Sequence, residues 1–69
     1  MKDNQLIQAL KFKYEYEVNK HRVDLNNFIN NPVAVAEHES IVDTADIIVE
    51  KLATSEEKLA TLEAHVGGF

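Results

Sequence analysis

The sequence predicts an all-α protein: an antiparallel hairpin of two helices with a coiled-coil-like seam between them. Helix-breaking residues occur at two places only in the 69 residues, with the single proline at Pro32 and the two glycines at Gly67 and Gly68. On both sides of Pro32, apolar residues recur at spacings of three and four, the period of one helix face. Two helices of similar length with a short connection form an antiparallel hairpin. We therefore expect one domain over residues 1–69.

The first helix is predicted over about residues 4–30. Its apolar residues include a column at seven-residue intervals, which is typical of a coiled-coil seam. The predicted seam residues are Ile7, Leu10, Tyr14, Val18, His21, Leu25 and Phe28, and Leu6 and Ile29 belong to the same apolar face. The helix is expected to stop before Pro32, because the residue that precedes a proline is pushed out of the α region.

A connection is predicted over residues 31–39, since this stretch shows no helical periodicity. Within it, Val33 and Val35 are expected to fold against the helix ends. Ser40 followed three residues later by Asp43 resembles a capping box, which marks the start of a helix. The second helix is therefore predicted over about residues 40–66.

The second helix carries a more regular heptad pattern than the first. Its predicted seam residues are Ile41, Ala45, Ile48, Leu52, Leu59, Leu62 and Val66. Ser55 also falls at a seam position, while Val42 and Val49 widen the apolar stripe. A hairpin of two such helices has a thin core, so we expect it to oligomerise into a helical bundle, most simply as a dimer.

The chain is acidic, and its charged residues are unevenly distributed along the sequence. The formal net charge is −5; residues 1–31 hold five basic and four acidic groups, and residues 32–69 hold two and eight. This balance disfavours nucleic acid and anionic membranes as partners. It also suggests ion pairs between the helices, from Lys11, Lys13, Lys20 and Arg22 to the acids of the second helix. The absence of cysteine favours the cytoplasm, with a virion as the alternative location.

Residue patterns for enzyme chemistry are absent from the sequence, which contains no phosphate-binding loop, nucleophile elbow or zinc-binding HExxH motif. We expect no catalytic residue, cofactor or metal. Glu17 and His21 have the Glu-x-x-x-His spacing of some metal sites, but such sites need further inward acids. A hydrogen-bonded seam histidine is the interpretation we prefer. His38, between Glu37 and Glu39, is similarly read as structural, with a metal or partner contact as the alternative.

Two surfaces are candidates for contact with other proteins. The outer strip, formed by Phe12, Tyr16 and Val23, lies off the first seam, and exposed strips of this kind often mark an interface. The alternative is that these residues only border the seam. The acidic ridge runs along the second helix through Glu39, Asp43, Asp46 and Glu50, with Glu57 beyond. It is either a solvated face, a site for a basic partner, or a mimic of a phosphate row.

The hinge carries one resemblance to known proteins. Residues 31–38 read Asn-Pro-Val-Ala-Val-Ala-Glu-His, followed by Ile41. This run resembles a pattern in small helical-hairpin proteins of tailed bacteriophages, myovirus-type cyanophages above all, with Ala34 and Ala36 where those proteins usually have glycine. The resemblance implies a phage-type origin, a helical hairpin shaped by Pro32 and His38, and no catalytic residue.

These features together lead us to expect a small accessory protein without enzyme activity that acts through protein–protein interaction and self-association. In a phage setting it would work in the cytoplasm of the host cell. Two alternatives stay open: an acidic inhibitor of a host protein, and a minor structural component of the virion.

Overall fold

A computed structural model describes residues 2–32 and 40–66, and the side chains of residues 5–32 and 40–66. Helix α1 spans Lys2–Asn30 and helix α2 spans Ile41–Val66, and the described residues contain no strand. The two helices pack against each other in an elongated molecule of 49 × 16 × 15 Å. The predicted all-α hairpin is confirmed.

The helix ends at the hinge follow from local chemistry. At the end of α1, the Asn31 N–H donates to the carbonyl oxygens of Asn27 at 3.0 Å and Phe28 at 3.3 Å, immediately before Pro32. At the start of α2, the Asp43 N–H donates to the Ser40 hydroxyl at 3.3 Å, so Ser40 is the N-cap. The helix N-terminus leaves several N–H groups without helical acceptors, and this bond satisfies one of them. Helix α2 therefore begins at Ile41, beside the predicted cap, while α1 begins two residues before its predicted start.

The helices run antiparallel, as the grooves between them show. Near the hinge, Phe28 of α1 shares a groove with Thr44 and Ile48 of α2. At the other end, Tyr14 shares one with Leu62. Residues late in α1 thus face residues early in α2, as a short connection requires.

Burial follows the predicted seam in the interior of the hairpin and departs from it at the edges. Phe28 is the most deeply covered apolar side chain described, at 4% exposure. The remaining predicted α1 seam residues are half-buried, as are Ala45, Ile48, Leu52, Leu59 and Leu62 of α2. Ile41 and Val66, the first and last residues of α2, are instead exposed. A seam residue at a helix end has a neighbouring layer on one side only, so the partner helix cannot cover it fully.

Leu6 and Ile29 do not belong to the buried face to which the sequence assigned them. Their exposed fractions are 63% and 64%. Consecutive residues of an α-helix are about 100° apart around the axis. Because Ile7 and Phe28 point into the seam, their neighbours Leu6 and Ile29 are turned towards its edge. The predictions for Val33, Val35, Glu37, His38 and Glu39 lie outside the described residues, as do residues 33–39 of the connection expected over 31–39.

Candidate interaction surface

The outer strip is exposed on α1. Phe12 and Tyr16 are each 63% exposed, and Val23 is 56% exposed. Val23 also lines a groove between the helices with Leu25 and Leu52, so it borders the seam, as the alternative interpretation has it for all three residues. The strip exposes two aromatic rings and a valine, and exposed apolar strips of this kind often mark an interface.

The acidic ridge is also exposed wherever the structure describes it. Asp43, Asp46 and Glu50 lie on the surface of α2, and Glu57 continues the line by two further turns. The seam residues of α2 are on the opposite side of the helix, because Asp46 and Glu50 are about half a turn away from Ile48. Asp43 and Asp46 therefore point away from α1, whereas Glu50 also lines a shallow pocket with Glu17 and His21 of α1.

This placement explains why the expected pairing between Lys13 or Arg22 and the acids of α2 is wrong. Lys13 pairs with Glu17 of its own helix, with Nζ 2.6 Å from Oε2. Arg22 donates a hydrogen bond to Asn19, also on α1, at 3.5 Å. Lys58 of α2 does reach across, and its Nζ lies 5.9 Å from the centre of the Tyr14 ring. That distance is within the range of a cation–π contact.

A groove between the helices forms a third surface, near the hinge. We call it the Leu52 groove. Its apolar lining comes from Val23, Leu25 and Ile29 of α1 and Leu52 of α2, with Asn19 and Arg22 at its rim, and its volume is about 530 Å³. Ile29 therefore lines this groove, although it lies outside the seam. The seam periodicity did not separate this residue from Phe28, and the groove could be found only once the two helices were placed side by side.

The middle of the hairpin contains a polar layer. Ser55 is 4% exposed, and its hydroxyl donates to the Lys51 carbonyl oxygen at 2.9 Å. His21 and Glu17 line the same shallow pocket as Ser55, together with Lys58. Ser55 was recognised from the sequence as a seam position, but its near-complete burial was not expected. Its hydroxyl is satisfied within its own helix, so this burial does not leave an unpaired donor.

The charged side chains of α1 around this layer contact neighbours on the same helix. The Lys13 ammonium, by hydrogen bond and charge, lowers the pKa of the Glu17 carboxyl and has its own pKa raised in return. The His21 Nδ1 atom lies 3.8 Å from the Asp24 carboxylate. Within residues 5–32 and 40–66, no group of three or more His, Asp or Glu side chains is placed to hold a metal ion. Glu17 and His21 are therefore engaged in contacts along α1.

A further pocket, near the hinge, places polar side chains over an apolar floor. Asp24 and Asn27 surround Phe28 and Ile48, and the Thr44 hydroxyl oxygen nearby is buried with no hydrogen-bond partner among the described residues.

Over the part of the chain that the structure describes, neither helix is long and apolar enough to cross a membrane.

Compared with known protein families, curated proteins and solved structures, the chain has no match in any of the three. Function therefore has to be inferred from the surfaces themselves.

Proposed function

We propose that this protein is a small accessory protein without enzyme activity that works by binding proteins, and that it first binds a second copy of itself. The hinge resemblance and the lack of cysteine place it, on this proposal, in the cytoplasm of a phage-infected cell. Its exposed apolar side chains and thin core support a role in binding.

The observation that carries the proposal is the size of the surface. Folded monomers of this mass, 7.8 kDa, expose about 4,400 Å² by the usual scaling of surface with mass. The chain exposes 5278 Å², an excess of about 900 Å². A protein–protein interface of standard size buries about 800 Å² on each partner. Part of this excess follows from the elongated shape of 49 × 16 × 15 Å, and the exposed apolar side chains are the surface that an interface with a second copy would cover.

The test of self-association is molar mass by light scattering over a concentration series, with circular dichroism on the same samples. We expect a helical species with twice the mass of one chain, which is 7.8 kDa. This species should dissociate on dilution. A helical species that keeps the mass of one chain at every concentration would contradict self-association.

The outer strip is the site that we assign to a different protein partner. Phe12 and Tyr16 are aromatic, and aromatic side chains are enriched at the centres of interfaces. A double variant, Phe12→Ser with Tyr16→Ser, should lose the proteins that the wild-type chain captures from host extract. Leu6→Ser is the matched control, because Leu6 is also 63% exposed. Equal capture by the double variant and the wild type would contradict this assignment.

A second candidate function is inhibition of a basic host protein, which the exposed acidic ridge favours. Its described members Asp43, Asp46 and Glu50 share one exposed side of α2. Reversing these three charges to lysine should abolish capture of that partner while the helix content is retained. If the reversed variant captures the same proteins as the wild type, this candidate is excluded.

A role in the virion is the remaining alternative. Mass spectrometry of purified phage particles would detect the chain in a fixed ratio to the major virion proteins if it is a structural component. A protein that is found only in the infected-cell extract would not be one.

A further inference from the structure

We infer that the second copy binds in the Leu52 groove, with α1 of each copy packed against α2 of the other. This inference rests on the self-association proposed above and adds its location and orientation. It leaves Phe12 and Tyr16 open to another protein while the dimer is formed.

In the groove, apolar residues of both helices come to the surface together. Val23 and Ile29, which are 56% and 64% exposed, form its α1 side, and Leu52 of α2 forms its floor. Val49 lies one turn before Leu52 on the same side of α2. It is 46% exposed, and Val42, one heptad earlier, is 75% exposed. The apolar area therefore continues from the groove onto α2 as a strip that another helix can cover.

The net charges of the two helices indicate what occupies the groove and in which orientation it binds. Helix α1 carries five basic and four acidic residues, whereas α2 carries two basic and six acidic residues. Packing α2 on the α2 of a second copy would bring two strongly acidic helices together. Packing α1 on the partner's α2 joins helices of opposite net charge, and complementary charge fixes the orientation of a complex. Helix α1 of a second copy therefore complements, in charge, the acidic helix α2 beside the groove.

Arg22 adds a specific contact to this arrangement. It stands at the rim of the groove, and its hydrogen bond to Asn19 is long, at 3.5 Å. Within the described ranges it forms no ion pair with a carboxylate. An arginine of this kind at the edge of an apolar contact is suited to a carboxylate on the acidic helix of a second copy.

The test compares Val49→Lys with Ile47→Lys by sedimentation equilibrium. The two residues are both 46% exposed, lie on the same helix and are both β-branched. They point about 200° apart around the axis, so only Val49 lies on the same side of α2 as Leu52. Because the dimer contains two copies of each change, Val49→Lys should raise the dissociation constant about 100-fold or more. Ile47→Lys should change it less than about 3-fold.

Several results would overturn this location. Equal effects of the two variants, or a larger effect of Ile47→Lys, would place the contact elsewhere even though the wild type dimerises. A wild type that stays monomeric would instead refute the self-association on which the inference rests. If Val49→Lys loses its helix signal, Arg22→Glu is measured in its place. Arg22→Glu should weaken the dimer about 10-fold or more, and a folded Arg22→Glu variant that dimerises like the wild type would exclude the groove.

Discussion

Truncation of Phe28 is the perturbation that addresses the hairpin core most directly. Phe28 is 4% exposed and packs in the hinge region beside Ile48 and Thr44. Phe→Ala changes in protein cores cost about 3–5 kcal/mol. The groove beside Phe28 is open, so neighbouring side chains can close over part of the space, and we expect the low end, about 3 kcal/mol.

That loss is large for a chain of this size. Stabilities of about 0.05–0.15 kcal/mol per residue give a 69-residue domain only about 3–10 kcal/mol in total. At about 4–8 °C per kcal/mol, Phe28→Ala should lower the melting temperature by about 12–24 °C. The assay is thermal unfolding followed by circular dichroism at 222 nm, a standard helix wavelength, at one fixed chain concentration.

Phe12→Ala is the matched control for this experiment. It removes the same side chain from the same helix at a position that is 63% exposed. We expect its free energy of unfolding to stay within about 0.5 kcal/mol of the wild type. If Phe12→Ala destabilises the protein as much as Phe28→Ala, the buried face of α1 has been assigned to the wrong side.

Three further predictions test the helix cap, the seam and the surface charges. Ser40→Ala should lower the free energy of unfolding by about 1 kcal/mol in chemical denaturation, because it removes the N-cap acceptor; Thr54→Ala, an exposed position on the same helix, should have almost no effect. Leu59→Ala should cost about 2 kcal/mol, the low end of the range for leucine, since Leu59 is only half-buried; no change would remove it from the seam. The pairing of Lys13 with Glu17 lowers the pKa of Glu17 and raises the pKa of Lys13. The stability that it contributes is therefore fully present between about pH 4.3 and 10.4, the ordinary values of the two groups. It is lost as the pH falls through the lowered Glu17 pKa or rises through the raised Lys13 pKa. An NMR titration in which Glu17 titrates at or above the ordinary value, or does not respond to Lys13→Gln, would contradict the pair.

The fold could be predicted because local signals at the hinge agree with the period of the apolar residues. Pro32 limits α1, and Ser40 caps α2 through the Asp43 N–H. Between these signals and the chain ends, the heptad spacing identifies the faces that meet. The prediction failed for Leu6 and Ile29, because a pattern of apolar residues does not state how wide the buried stripe is. In a two-helix hairpin the stripe is narrow, and residues about 100° from its centre stay exposed.

The candidate surfaces were harder to predict because they depend on how the helices sit together. The exposure of Phe12 and Tyr16 could be inferred from one helix alone. The Leu52 groove joins residues from α1 and α2 that are far apart in the sequence, so no spacing rule points to it. Lys13 shows the same limit for charges: opposite charges on the two helices suggested pairs between them, but Glu17 lies one turn away on the same helix and is the closer partner.

Self-association through the Leu52 groove is tested most directly by isotope-filtered NMR on a mixture of labelled and unlabelled chains. The isotope filter selects the nuclear Overhauser effects between protons of a labelled and an unlabelled copy. We expect intermolecular effects from the methyl groups of Val49 and Ile29 to residues of the partner's facing helix, and none from Ile47. Intermolecular effects at Ile47 with none at Val49, or no intermolecular effects at a concentration where light scattering finds a dimer, would contradict this expectation.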